Sequence, residues 1–267
     1  MLKLRWARSA WRILHVTGLL LVLGIDFFLR PARSAAEGAE KIHRYCRRLV
    51  RALGVEWSVK GRFPEYGALV SNHLSYLDIL LYAAIRPFIM VAKAEVRGWP
   101  GIGWLTKQAG TVFVVRGGGP PSYPAVNHAM AEAYRSGVPV LFFPEGTTTN
   151  GSETLPFRRG LFHSVLNEGV ALQTAALAYS VEEEEYSVAN DVCWWGDALL
   201  FPHIVRLASM RRVQARVRFG AVVQEREDRF VLSAQAREQI VDMVAELSFA
   251  TAVVVDGTQE TKLVEAL

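Results

Sequence analysis

Ser71-Asn72-His73-Leu74-Ser75-Tyr76-Leu77-Asp78 closes a short apolar run over residues 68–71 and opens a second one that reads as a helix over 76–85. A strand that hands over to a helix within a few residues is the unit from which α/β sheets are built. Ser75 and Asp78 have the spacing of a capping box, in which a hydroxyl and a carboxylate three residues later satisfy free N–H groups at a helix start. His73 lies in the turn just ahead. A residue in the first helical turn leans back toward the entering loop, so the Asp78 carboxylate is placed to accept an imidazole N–H and leave the other ring nitrogen as a base. Capping alone also accounts for Asp78, and the two readings are compatible.

Outward from this turn, short apolar runs alternate with helical stretches. Residues 55–59, 68–71, 88–92, 111–115, 138–143, 170–179 and 213–219 read as strands. Residues 76–85, 123–136, 159–167 and 233–247 read as helices, the last with Ser233 as its cap. The pattern predicts an α/β fold, a central mixed sheet flanked by helices, behind an N-terminal membrane foot of one apolar and one amphipathic helix. The expected division is 1–54 for the foot, 55–250 for the domain, with its motifs in about 68–180, and 251–267 for a tail without functional signal.

Charge separates the same regions. The 267-residue chain carries a net +4, but residues 1–60 hold twelve Lys or Arg against four Asp or Glu, so the rest is net −4. The apolar run 13–29 is 17 residues long, at the short edge for spanning a bilayer, and contains His15 and Asp26. In the next stretch, Ile42, Tyr45, Cys46, Leu49, Val50 and Leu53 recur at helical spacing, and Arg44, Arg47, Arg48 and Arg51 fill the other side. Such a helix lies in a headgroup plane or packs its apolar stripe on the neighbouring domain. The basic, apolar start favours an anionic membrane surface, and no nucleic-acid recognition motif accompanies it. A cleaved signal peptide fits poorly, because Asp26, Phe27 and Phe28 fall near the small residues Ser34-Ala35-Ala36. Two isolated cysteines, Cys46 and Cys193, argue for a reducing compartment and make no metal site.

A second run, Phe143-Pro144-Glu145-Gly146-Thr147-Thr148, places Glu145 67 residues after Asp78. A strand-ending turn explains Pro144 and Gly146 but not the carboxylate between them. Between the two runs, Gly110-Thr111-Val112-Phe113-Val114-Val115-Arg116 reads as a strand ending in arginine, and Ala92-Lys93-Ala94-Glu95 carries a lysine. Gly117-Gly118-Gly119 lacks the Lys-Ser/Thr of a nucleotide loop. Asp197 and His203, near Trp194-Trp195, have no metal-site spacing, and no metal is expected.

Taken together, His-x4-Asp, the strand ending at Arg116 and Phe-Pro-Glu-Gly-Thr resemble the glycerolipid acyltransferase family, over about Val55 to Ser180. The resemblance implies a fatty acyl transfer from acyl-CoA or acyl-carrier protein to the free hydroxyl of 1-acylglycerol 3-phosphate, giving phosphatidic acid. It implies His73 as base and Asp78 as its orienting carboxylate. It implies Glu145, Gly146 and Thr147 at the acceptor and Arg116 on the lysolipid phosphate. Relatives often carry a second basic residue after that arginine; here Lys93, then Arg159, are the substitutes. No cofactor is expected beyond the thioester donor. The expected partners are a lysophospholipid, the acyl thioester, membrane lipids and acyl-carrier protein, at the cytoplasmic face of a membrane. Lyso-ornithine lipid is the rival acceptor, and a non-catalytic lipid-binding protein of the same fold is the rival from another class.

Overall fold

The computed structural model describes residues 2–115 and 123–255. A seven-stranded sheet has the order β1-β7-β6-β2-β5-β3-β4. Its strands are β1 (Val55–Lys60), β2 (Ala68–Ser71), β3 (Ile89–Lys93), β4 (Val112–Val114), β5 (Val140–Phe142), β6 (Leu172–Val181) and β7 (Val213–Val222). All neighbours pair in parallel except β6 and β7, which are antiparallel. The mixed sheet expected from the alternating pattern is therefore present.

Strand periodicity explains how one sheet serves two cores. Ala68 and Val70 of β2 join Val140 and Phe142 of β5 on one face, with Phe162 and Ile240 from covering helices. Leu69 and Leu141, one residue out of phase, face the other side with Leu77, Leu81 and Tyr82. Successive side chains on a strand point to opposite faces, so a strand covered on both sides reads as a continuous apolar run. In β7, Val213, Ala215, Val217 and Phe219 are buried while the intervening Gln214, Arg216 and Arg218 are not.

The covering helices are α1 (Leu2–Leu29), α2 (Ala35–Ala52), α3 (Tyr76–Ile85), α4 (Ile102–Gln108), α5 (Tyr123–Tyr134), α6 (Gly160–Asn167), α7 (Leu200–Ser209) and α8 (Arg229–Val255). Four points correct or extend the sequence reading. The first helix begins at Leu2 rather than near residue 13, taking in Arg5, Arg8 and Arg12. α8 begins at Arg229, where the Asp228 carboxylate accepts the Phe230 N–H at 2.6 Å. Ser233 is no cap; its hydroxyl turns back to the Phe230 carbonyl. α4 and α7 were not anticipated, since each is short and lies in a region read as motif or cluster.

The two N-terminal helices use their faces differently. The stripe Cys46, Leu49, Val50 and Leu53 of α2 is buried in the core with α3, leaving the arginine side to solvent. Gly38 lets α2 approach α4 closely, because a Cβ there would lie 2.1 Å from the Gln108 carbonyl oxygen. α1 is Leu4–Leu29 long and apolar enough to cross a membrane by length and composition. One side of it is nevertheless fixed to the protein. Ser9 donates to the Val205 carbonyl within α7, and Arg8 to Ser209 and Arg12 to Met210 and Arg211 at its end. The last carbonyls of a helix have no partner within it, so these arginines complete α7. Asp26, costly in an apolar run, faces buried Lys41 of α2 at 3.8 Å. Leu23 and Phe27 are buried while Leu21, Ile25 and Phe28 are exposed.

Candidate active site

His73 lies two residues past the end of β2, and Glu145 three past the end of adjacent β5. Lys93 is the last residue of β3, next in the sheet. Parallel strands thus bring three residues, far apart in sequence, to one edge at the carboxyl ends of the strands, where open α/β sheets receive ligands. A cavity of about 890 Å³ lies at the opposite edge, lined by Phe63, Pro87, Pro139 and neighbours that precede β2, β3 and β5. None of the residues around His73 lines it.

His73 Nδ1 is 2.8 Å from Asp78 Oδ2. That oxygen also accepts the Leu74 and Ser75 N–H groups at 2.6 and 2.9 Å. The bond to Ser75 is the carboxylate half of the capping box, so capping and histidine orientation are performed by the same oxygen. Oδ1 accepts the Tyr179 hydroxyl at 2.7 Å. Asp78 is fully buried, and a carboxylate out of water needs such a complement of donors. An oxygen that accepts from two backbone N–H groups accepts from the ring as well, which puts the proton on Nδ1. Nε2 is then the lone-pair nitrogen, and it has no hydrogen bond among the described residues. The ring is stacked on Phe143, with centroids 3.9 Å apart.

The second run clamps this turn from below. Glu145 Oε1 accepts the His73 backbone N–H and Oε2 the Leu155 N–H, each at 2.8 Å. Thr149 N–H donates to the His73 carbonyl and Trp194 N–H to the Leu74 carbonyl. Burial pushes the Glu145 carboxyl up to about 7, the two backbone donors and Arg237 offsetting part of the rise. Gly146 has φ +73°, and a Cβ there would lie 2.6 Å from Arg158 Nε. Both features suit a residue that ties two loops together. Thr147 is exposed beside them, and Arg159 holds its guanidinium over the Phe230 ring. Arg116, expected on a phosphate, lies outside the described residues.

Three residues have roles that were not read from sequence. Tyr179 lay in a run read as core strand; burial holds its phenol well above the usual range, which keeps it a donor to Asp78. Asn72 donates to the Leu177 carbonyl and accepts the Leu177 N–H, so its amide extends the ladder between β2 and β6 up to the turn. His203, weighed as a metal ligand, contacts the Tyr76 hydroxyl through Nδ1 and the Cys193 carbonyl through Nε2. Only Asn72 carried a signal, its place beside His73.

Residues 32–178 match the acyltransferase family model. The chain belongs to the acyltransferase family. It is 35% identical over 246 residues to a lyso-ornithine lipid O-acyltransferase of Pseudomonas aeruginosa, covering 90% of this chain and 93% of that one. It is 34% identical over 205 residues to a 1-acyl-sn-glycerol-3-phosphate acyltransferase of Neisseria meningitidis, covering 75% and 79%. The crystal structure of the 1-acyl-sn-glycerophosphate acyltransferase of Thermotoga maritima superposes with a TM-score of 0.61 at 15% identity, over 96% of this chain and 97% of that one, which bears on the fold. The acyltransferase reading and the α/β fold with its N-terminal apolar helix thus stand together.

Proposed function

We propose that this acyltransferase moves a fatty acyl group from a thioester, acyl-CoA or acyl-carrier protein, to the free hydroxyl of 1-acylglycerol 3-phosphate. The observation that carries the reading is His73, held through Nδ1 by a buried carboxylate, with Nε2 free at the carboxyl edge of the sheet. Nε2 takes the proton of the acceptor hydroxyl as its oxygen attacks the thioester carbon. The tetrahedral intermediate then collapses, the carbon–sulfur bond breaks, and the imidazolium returns its proton to the departing thiolate. Asp78 stabilises the imidazolium without itself taking the proton. A thioester is already activated, so base and positioning supply most of what is needed.

Arg116 and Lys93 form the phosphate clamp in this reading, a guanidinium fork suiting phosphate geometry. Gly146 and Thr147 border the acceptor, and Glu145 acts through the His73 backbone as a positioning residue. α1 seats the protein in one leaflet rather than spanning it, since Ser9, Arg8, Arg12 and Lys41 hold one side of it on the domain. The leaflet in this reading is the cytoplasmic one, where acyl-CoA and acyl-carrier protein are met. Lyso-ornithine lipid is the second acceptor reading, favoured by the similarity over 90% of the chain to an acyltransferase of that name and by Gly117-Gly118-Gly119 after Arg116.

The test is competition. Purified protein is given acyl-CoA with equal lysophosphatidic acid and lyso-ornithine lipid, and products are read by mass spectrometry beside Arg116→Ala. Phosphatidic acid, with a raised KM in the variant, supports the main reading. Acylated ornithine lipid alone keeps the chemistry and overturns the acceptor.

A further inference from the structure

A groove of about 430 Å³ runs between α1 and α2, lined by Trp11, Arg12, His15, Leu19, Arg48 and Arg51. Its charge is of one sign. Arg12 is engaged with carbonyl oxygens at the end of α7. Arg48 and Arg51 lie over the Tyr45 and Trp57 rings and make no ion pair among the described residues. Ring stacking fixes where these guanidiniums sit while leaving their donors open, a pre-organised arrangement for an oxyanion. The α1 wall adds Trp11 and Leu19 to Arg12 and His15, and Trp11 and Leu14 on that helix are exposed. Cations interleaved with exposed apolar side chains suit an amphiphile with an anionic head.

The groove is separate from the His73 turn. α2 ends at Ala52 and leads into β1, which is three strands from β2 in the sheet. At about 4.8 Å between strands, this is roughly 15 Å from the catalytic edge. The strand directions put the start of β1 on the same side of the sheet as the end of β2, so both open toward the same surface.

We propose that this groove is a headgroup site for an anionic, phosphate-bearing membrane lipid that is not the acceptor, with Arg48 and Arg51 on the phosphate and Trp11 and Leu19 against the glycerol and first chain carbons. It rests on the single-leaflet seating proposed above.

The test is binding of the full-length protein to phosphatidylcholine vesicles with and without phosphatidylglycerol, at fixed salt. Two variants of equal charge change are compared: Arg48→Gln with Arg51→Gln, and Arg44→Gln with Arg47→Gln on the same helix outside the groove lining. We expect the groove pair to lose about thirtyfold in affinity for the anionic vesicles, the scale of two basic residues at such a surface. The other pair should lose only severalfold, and both should retain wild-type turnover on detergent-dispersed substrate and an unchanged melting profile. Equal losses in the two pairs would mean diffuse surface charge and overturn the site. Release from anionic vesicles by inorganic phosphate at constant ionic strength would assign the groove to a soluble anion and overturn the lipid. Failure to bind any vesicle would instead sink the seating itself; equal binding to both vesicle types would sink only the site.

Discussion

The turn around His73 and the helical foot use polar groups in opposite ways. At the turn, each oxygen of Asp78 and Glu145 has a donor inside the protein, and the ring nitrogen His73 Nε2 is left open among the described residues. In the foot, apolar side chains and arginines face outward, Phe28 beside buried Phe27 and Arg48 beside buried Leu49. An enclosed polar network gains rigidity when every member is satisfied, which is what a positioned base requires. A surface that meets lipid needs the reverse: groups left over for a partner. The two regions join where α1 grips the end of α7, and α7 in turn holds His203 against Tyr76 in the first turn of α3.

The largest expected effect tests the open imidazole nitrogen. His73→Ala should lower kcat by about a thousandfold, the scale of a lost general base, with an unchanged melting temperature. Full retained turnover would break the reading of the turn.

The foot is sharpened by neighbours on one helix. Phe27→Ala should destabilise the protein by about 3 kcal/mol or more, as large-to-small core changes do. Phe28→Ala should leave stability within about 0.5 kcal/mol while weakening vesicle binding. Thermal melting and flotation on the two variants distinguish them; equal melting would mean that α1 does not hold its face on the domain.

Tyr179→Phe removes one donor from a buried carboxylate, a loss of about 1–3 kcal/mol in stability. It should reduce kcat by about tenfold with little change in KM, read from initial rates across substrate concentration. A packing role alone would lower stability and leave kcat in place.

The smallest effect concerns Glu145. Its carboxyl is raised from the ordinary range to about 7 by burial, so the folded protein holds a proton that the unfolded chain releases. The resulting stabilisation is full below the ordinary carboxyl range and is lost as pH rises through about 7. Glu145→Gln, which leaves one backbone N–H without its acceptor, should be less stable than wild type near pH 5, and the gap should narrow toward about pH 8. Melting curves at the two pH values check it; a widening gap would overturn the assigned direction.

Much of this was legible from residues because it is local. His73, Ser75 and Asp78 sit on one strand-to-helix turn, and β2 and α3 begin and end where pattern put them. Helix periodicity set the buried stripe of α2, and its two possible uses differed only in what lay opposite, which periodicity does not contain. The Glu145 role was only half visible: Phe-Pro-Glu-Gly-Thr marked a turn with a carboxylate, but which atoms it holds depends on β5 lying beside β2.

The sequence by itself therefore determined the short-range geometry: the strand-to-helix turn at His73, the capping carboxylate, the apolar stripes and the basic foot. These depend on backbone propensity and side-chain period, which act over a few residues. Only the tertiary structure decided that Tyr179 completes Asp78 from 101 residues away, that Glu145 carries the His73 backbone, and that α1 lies with one face on α7. Those contacts arise from strand order and helix packing, where any buried polar group must find a donor or acceptor on whatever element the fold brings next to it.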